Sequence, residues 1–227
     1  MAMRWHDLLF LHWPVRPEVI RPLIPPDLEL DTFDGSAWIG VVPFRMTRVR
    51  PRYFPSFVGL AFSEINVRTY VWSPGRSGVW FFSLDATNRL AVRTARARYG
   101  LPYYDARINI QSERGRIHYQ SIRVDKRSSG AEFGAFYKPT GDVYRSAPGT
   151  IDRWLTDRYC LYTVDRAGGA GYAEIHHAPW PLQPAEVELR VNTMTAPLGI
   201  SLPAVPPLAH FALRLEVVAW RVVPVAG

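Results

Sequence analysis

Glu64-Ile65-Asn66-Val67-Arg68-Thr69-Tyr70-Val71 sets the reading of the whole chain. Its alternation is that of an extended strand. Glu64, Asn66, Arg68 and Tyr70 then share one face, and Ile65, Val67, Thr69 and Val71 share the other. An acid, an amide, a guanidinium and a phenol stand in a row. Such a row belongs either to solvent, with Glu64 and Arg68 as a weak exposed pair, or to the inside of a barrel, where the same groups orient a ligand. The stretch alone leaves both open.

Working outward, strand signals dominate. Ile65–Trp72 and Val79–Leu84 flank a turn at Ser73–Gly78, and Leu28–Phe33 and Ala37–Val42 flank Asp34-Gly35, a hairpin signal. Ala106–Gln111 and Arg116–Val124 flank a turn ending in Gly115. Leu161–Asp165 and Tyr172–Ile175 flank Ala167-Gly168-Gly169-Ala170-Gly171, a glycine-rich hairpin tip with no helix behind it to make a phosphate loop. Glu186–Val191 and Leu213–Val223 are further strands, the last changing phase at Val218 as a bulge would. Helices are few: Pro17–Leu23, Arg89–Tyr99 between Asn88 and Gly100, Ile151–Tyr159 behind Thr150, and a short turn from Asn192 or Thr193 to Leu198. This predicts one α+β, mainly β domain over residues 1–227, a curved antiparallel sheet or barrel with a few peripheral helices.

Composition narrows the function classes. The 227 residues are 48% hydrophobic and 21% charged, the balance of a globular chain. The net charge is +7, and the 27 basic residues are 25 arginines with only Lys126 and Lys138. A mechanism needing several lysines is excluded. Cys160 is the single cysteine, so no intrachain disulfide forms. The apolar run Leu8–Leu11 is too short for a signal-peptide core or a membrane span, which predicts a cytoplasmic protein with no membrane partner.

The chemistry-bearing residues are scattered. His176 and His177 point to opposite faces of a strand, and no paired-cysteine or spaced-histidine pattern supports a metal, so neither a metal nor another cofactor is expected. Cys160 has Arg158 near it but no partner histidine, which reads as a buried inert thiol. Arg89, Arg93 and Arg96 line one helix face opposite Leu90, Ala91 and Ala95, an ordinary amphipathic helix rather than a nucleic-acid interface.

Several motifs together carry a resemblance: Leu11-His12-Trp13-Pro14-Val15, Glu64-Ile65-Asn66-Val67-Arg68-Thr69-Tyr70, Tyr99-Gly100-Leu101-Pro102-Tyr103, Arg158-Tyr159-Cys160-Leu161-Tyr162 and Glu174-Ile175-His176-His177-Ala178-Pro179-Trp180. They resemble the bacterial YqjF-like proteins of the DUF2071 family over nearly the whole chain. That family is similar in turn to acetoacetate decarboxylase, which implies a curved antiparallel β-barrel with an internal pocket. In the decarboxylases a strand opens with a Glu, and a lysine pair follows further on, its first member forming the Schiff base. Glu64 matches that Glu, while the lysine pair falls on Tyr103-Tyr104, directly after Gly100-Leu101-Pro102. Tyrosine cannot form an imine, and Lys138, beside a Pro-Thr turn, is expected at the surface.

The resemblance thus implies a pocket without its Schiff-base amine. Glu64 and Tyr103 are the candidate catalytic residues, Glu64 as acid or base; Arg68 is the candidate carboxylate anchor, with Asn66, Tyr70, Tyr104 and His12 as further ligand-binding candidates. The expected partner is a small organic acid or carbonyl compound. A non-catalytic sensing barrel and a scaffold with a filled interior stand beside that reading. Exposed edge strands would also permit a homo-oligomer.

Overall fold

The computed structural model describes residues 1–164 and 169–225. Thirteen strands appear among them: β1 (Ala2–Val15), β2 (Glu29–Leu30), β3 (Ala37–Arg50), β4 (Leu60–Ser73), β5 (Arg76–Ala86), β6 (Tyr103–Glu113), β7 (Arg116–Arg123), β8 (Glu132–Pro139), β9 (Cys160–Val164), β10 (Ala170–His177), β11 (Gln183–Asn192), β12 (Leu208–Ala219) and β13 (Val223–Pro224). They form one sheet in the order β13-β10-β9-β5-β6-β7-β8-β11-β12-β1-β3-β4-β2. The further pairings β4–β5 and β10–β12 bring distant parts of that order side by side, so the sheet is strongly curved. Most neighbours are antiparallel, as expected; β5 departs from the pattern by pairing in parallel with both β6 and β9.

Three α-helices among the described residues lie at the periphery: α1 (Pro17–Ile20), α2 (Arg89–Tyr99) and α3 (Ile151–Thr156). Asn88 caps α2 by accepting from the Ala91 N–H, and Gly100 ends it at φ +64°. A Cβ at Gly100 would lie 2.5 Å from the Val164 carbonyl oxygen, so the position also demands glycine for space. Because a parallel neighbour cannot be reached by a tight turn, α2 serves as the crossover between β5 and β6.

Several local expectations change. The Leu8–Leu11 run lies within β1, an inner strand paired with both β3 and β12. Leu9 and Leu11 join the main core with Tyr119 and Tyr137, while Leu8 and Phe10 face a second apolar region with Phe44 and Trp180. With both faces covered, the strand reads as continuous apolar sequence. Asp34-Gly35 makes a tight turn bridged by Phe33 and Ser36, but β2 pairs with β4 rather than with β3, so no hairpin forms there. The third helix stops at Thr156 instead of Tyr159. β12 ends at Ala219 and keeps one continuous register against β1, without the expected bulge. Leu90, expected on the packed face of its helix, is 67% exposed; Val92 is the buried residue of α2. The strands flanking the glycine-rich tip pair as β9 and β10, whereas Asp165, Ala167 and Gly168 lie outside the described residues.

Candidate functional site

β4 carries the site because it has two different faces. Ile65, Val67 and Val71 pack into the main core. Phe62, Glu64, Asn66 and Arg68 line a cavity of about 840 Å3 on the other side. β3 and β5 flank β4 and supply Phe44 and Met46, and Phe81 and Leu84, to the same cavity, whose lining is mostly apolar. The interior is therefore not filled by side chains.

Glu64 is 2% exposed and nearly without solvent. Its Oε2 accepts a 2.8 Å hydrogen bond from the Tyr103 hydroxyl, and its backbone carbonyl accepts one of 2.7 Å from Tyr119. Tyr103 reaches it because β6 lies beside β5, with Tyr103 opposite Leu84, while β5 in turn pairs Ala86 with Glu64. Burial pushes the Glu64 carboxyl up to about 7; the bonds from Tyr103 and Asn66 favour the carboxylate, and the nearby Asp85 charge opposes it. Both groups that support the charge are neutral donors, so the acid is poised between its two forms near neutral pH. Burial and the Glu64 charge hold the Tyr103 phenol well above its ordinary range, so it remains a hydrogen-bond donor.

Arg68 stands four residues along the strand, about 13 Å from Glu64 by strand rise. Its guanidinium carbon lies 5.3 Å from the Phe10 ring centroid and 5.8 Å from that of Tyr70. Its Nε is buried without a partner, and among the described residues no carboxylate pairs with it. Arg158 lines the cavity too but already has an anion: Nη1 donates to Asp31 at 2.6 Å and Nε to the Trp154 carbonyl at 2.6 Å, while its Nη2 is buried without a partner. Arg68 is thus a cation in a largely apolar place with no anion of its own.

The other candidates fall elsewhere. Tyr70 shares the face of Arg68 but is covered by Trp154 and Leu155 of α3, outside the cavity lining. Its hydroxyl lies 2.7 Å from His12 Nε2, and His12 is fully buried behind it. Desolvation and the neighbouring Arg68 charge hold His12 well below its usual pKa, so it is neutral. Tyr104 points away from the cavity, beneath the guanidinium groups of Arg123 and Arg127. Lys138 pairs with Glu186 at 3.1 Å, 46% exposed, and no lysine lines the cavity. Cys160 does line it, yet burial pushes its thiol up to about 12, which leaves it protonated and unreactive.

Among the lining residues that sequence reasoning did not propose are Arg158, His177 and Trp180. Of the adjacent histidines, His177 reaches the cavity and stacks on Tyr159 at 4.7 Å, while His176 is exposed beside Glu174. Alternation told the two faces apart but not which one was inside. Also unforeseen is a fully buried pair: Arg123 Nε and Nη2 donate to the two oxygens of Asp85 at 2.9 and 2.8 Å. Among the described residues no cluster of three or more histidine, cysteine or acidic side chains could hold a metal ion. No helix there is long and apolar enough to cross a membrane.

Comparison with known proteins places this geometry. The sequence profile of DUF2071, described as an uncharacterized conserved protein, matches residues 2–216. The uncharacterized protein YqjF of Bacillus subtilis (strain 168) is 45% identical over 221 residues, 97% of this chain and 90% of that one. Among solved structures, the enduracididine biosynthesis enzyme MppR complexed with pyruvate superposes with a TM-score of 0.68 at 10% identity, covering 99% of this chain and 90% of that one. Acetoacetate decarboxylase from Legionella pneumophila gives a TM-score of 0.58 at 16% identity, covering 98% and 87%. An acetoacetate decarboxylase-like enzyme from Sphingomonas wittichii RW1 gives 0.65 at 12%, covering 99% and 92%. At these identities the likeness is one of fold. The profile match and the close relative together assign the chain to the DUF2071 family, built here on an acetoacetate decarboxylase-like fold.

Proposed function

We propose that the protein binds an organic acid bearing a carbonyl or hydroxyl group in this cavity, with Arg68 holding the carboxylate and Glu64 exchanging a proton with the ligand. The observation that carries the reading is the shared cavity: a guanidinium without a carboxylate partner and a carboxyl with a pKa near 7 line the same space. A charge-assisted bond to Arg68 gains strength in such a setting, because water competes poorly. Tyr103 keeps Glu64 oriented and donates a hydrogen bond when the carboxylate forms. With no lysine in the lining, the chemistry available is acid–base rather than imine chemistry. That a fold neighbour is known in complex with pyruvate agrees with an acid as ligand.

A thermal-shift screen against keto acids, hydroxy acids and aldehydes tests this. A ligand at 100 times its Kd adds about 2.7 kcal/mol, which for a chain of this size is a rise of roughly 5–11 °C. The expected hits carry a carboxylate and lose their effect in Arg68→Met. Hits unaffected by that substitution, or none among acids, would remove Arg68 as the anchor and the reading with it.

A further inference from the structure

The size and polarity of the cavity say more about the ligand than its polar groups do. A three-carbon keto acid has six heavy atoms; at water's roughly 30 Å3 apiece it would occupy about 180 Å3. The cavity measures about 840 Å3, near the top of the roughly 300–1,000 Å3 range of sites that hold drug-sized ligands. A small acid held by Arg68 would leave most of the space to water against apolar walls.

The cavity has a direction. At one end lie Arg68, Arg158 and Trp180, the last two 7% and 3% exposed. At the other it is bordered by Tyr53 (90% exposed), Phe54 (57%) and Leu90 (67%), large apolar side chains that no core covers. Between the ends run Leu8, Phe44, Met46, Phe62 and Leu101. Arg68 and Arg158 thus lie at the covered end, and apolar surface continues out to the mouth. Arg50, Arg52, Arg98 and Arg221 also line the cavity, a set of cations that would draw anions towards it.

We infer that the ligand is an amphiphilic monocarboxylic acid, whose carboxylate meets Arg68 and whose hydrocarbon body extends past Glu64 towards the Tyr53–Leu90 mouth. This rests on the anchoring role proposed above for Arg68 and adds the substrate class. It explains three features together: a half-buried cation without a counter-ion, an apolar lining far larger than a small acid fills, and exposed apolar side chains at the opening. The exposed groups lose water contact only when a chain long enough to reach them is bound.

The test is calorimetric titration of the full chain with acetate, hexanoate, octanoate and decanoate, and with decanol as the uncharged match. Affinity is expected to rise from hexanoate to decanoate by up to about fourfold per methylene, and decanoate is expected to bind at least tenfold more tightly than decanol. Arg68→Met, with Arg68→Gln as a second variant, should abolish the preference for decanoate over decanol while leaving decanol unchanged. Leu90→Ser should weaken decanoate and leave hexanoate alone. Short keto acids that bind through Arg68 with no gain along the series would overturn this inference and leave the proposed function standing. A preference for decanoate over decanol that survives both Arg68 variants would put the carboxylate at the rim arginines and overturn it too. Binding of none of these acids, short or long, would overturn both.

Discussion

Glu64→Gln should make the protein more stable, and only above about pH 5. The carboxyl titrates near its ordinary 4.5 in the unfolded chain and near 7 in the folded one. Between those values the folded state keeps a proton that the unfolded state has released, so stability falls as pH rises. The difference of about 2.5 units corresponds to about 3 kcal/mol, lost in full by pH 8 or so. Solvent screening takes little from this, because Glu64 is 2% exposed. Glutamine has nearly the same shape, can still accept the Tyr103 hydroxyl, and carries no charge to desolvate. Its advantage should be near zero at pH 4.5 and about 3 kcal/mol at pH 8.5, or some 6–12 °C in Tm for a chain of this size. Urea unfolding of both proteins at half-unit intervals from pH 4.5 to 8.5 measures it, since every other titrating group cancels in the difference. A difference that stays flat across this range would show that the carboxyl is not held up by burial, and the acid–base role would go with it.

Three further outcomes follow from the same geometry. Tyr103→Phe removes a donor that favours the Glu64 carboxylate, so the pH window attributable to Glu64 should move upward; a downward move would contradict the assigned direction of that bond. Asp85→Ala strands the buried Arg123 guanidinium and should cost about 3–5 kcal/mol in urea unfolding, and a loss below about 1 kcal/mol would mean that the pair is not desolvated as described. Borohydride treatment in the presence of acetoacetate should leave the intact mass unchanged, because no lysine lines the cavity; a reduced adduct at Lys138 would refute that.

The fold class and much of the site were legible because a strand exposes its two faces in strict alternation. Glu64, Asn66 and Arg68 stand on one face of β4, as their spacing required. Tyr70 obeys the same alternation, yet α3 lies over it; parity assigns a face but not what covers it. Tyr104 shows the same rule from the other side: its neighbour Tyr103 took the inner face, so Tyr104 had to take the outer one. Arg158 and His177 were not legible, because they enter the cavity from segments far from β4 in sequence, one just past a helix end and one at the close of β10. The Asp34-Gly35 turn misled for a related reason. Its local chemistry fixes a reversal of the chain, while the partner of each flanking strand is set by distant residues.

The parallel pairing of β5 with β6 bears on the order in which the protein assembles. β4 and β5 meet across the short Pro74-Gly75 turn, with Ser73 opposite Arg76, a contact that closes early because little chain must be gathered. β6 pairs with β5 across the whole of α2, a longer loop to close than the hairpin. Glu64 belongs to the hairpin and Tyr103 to β6. By sequence separation the Glu64–Tyr103 contact, spanning 39 residues, should form after the β4–β5 hairpin and before the β1–β12 pairing that joins Ala2 to Val218.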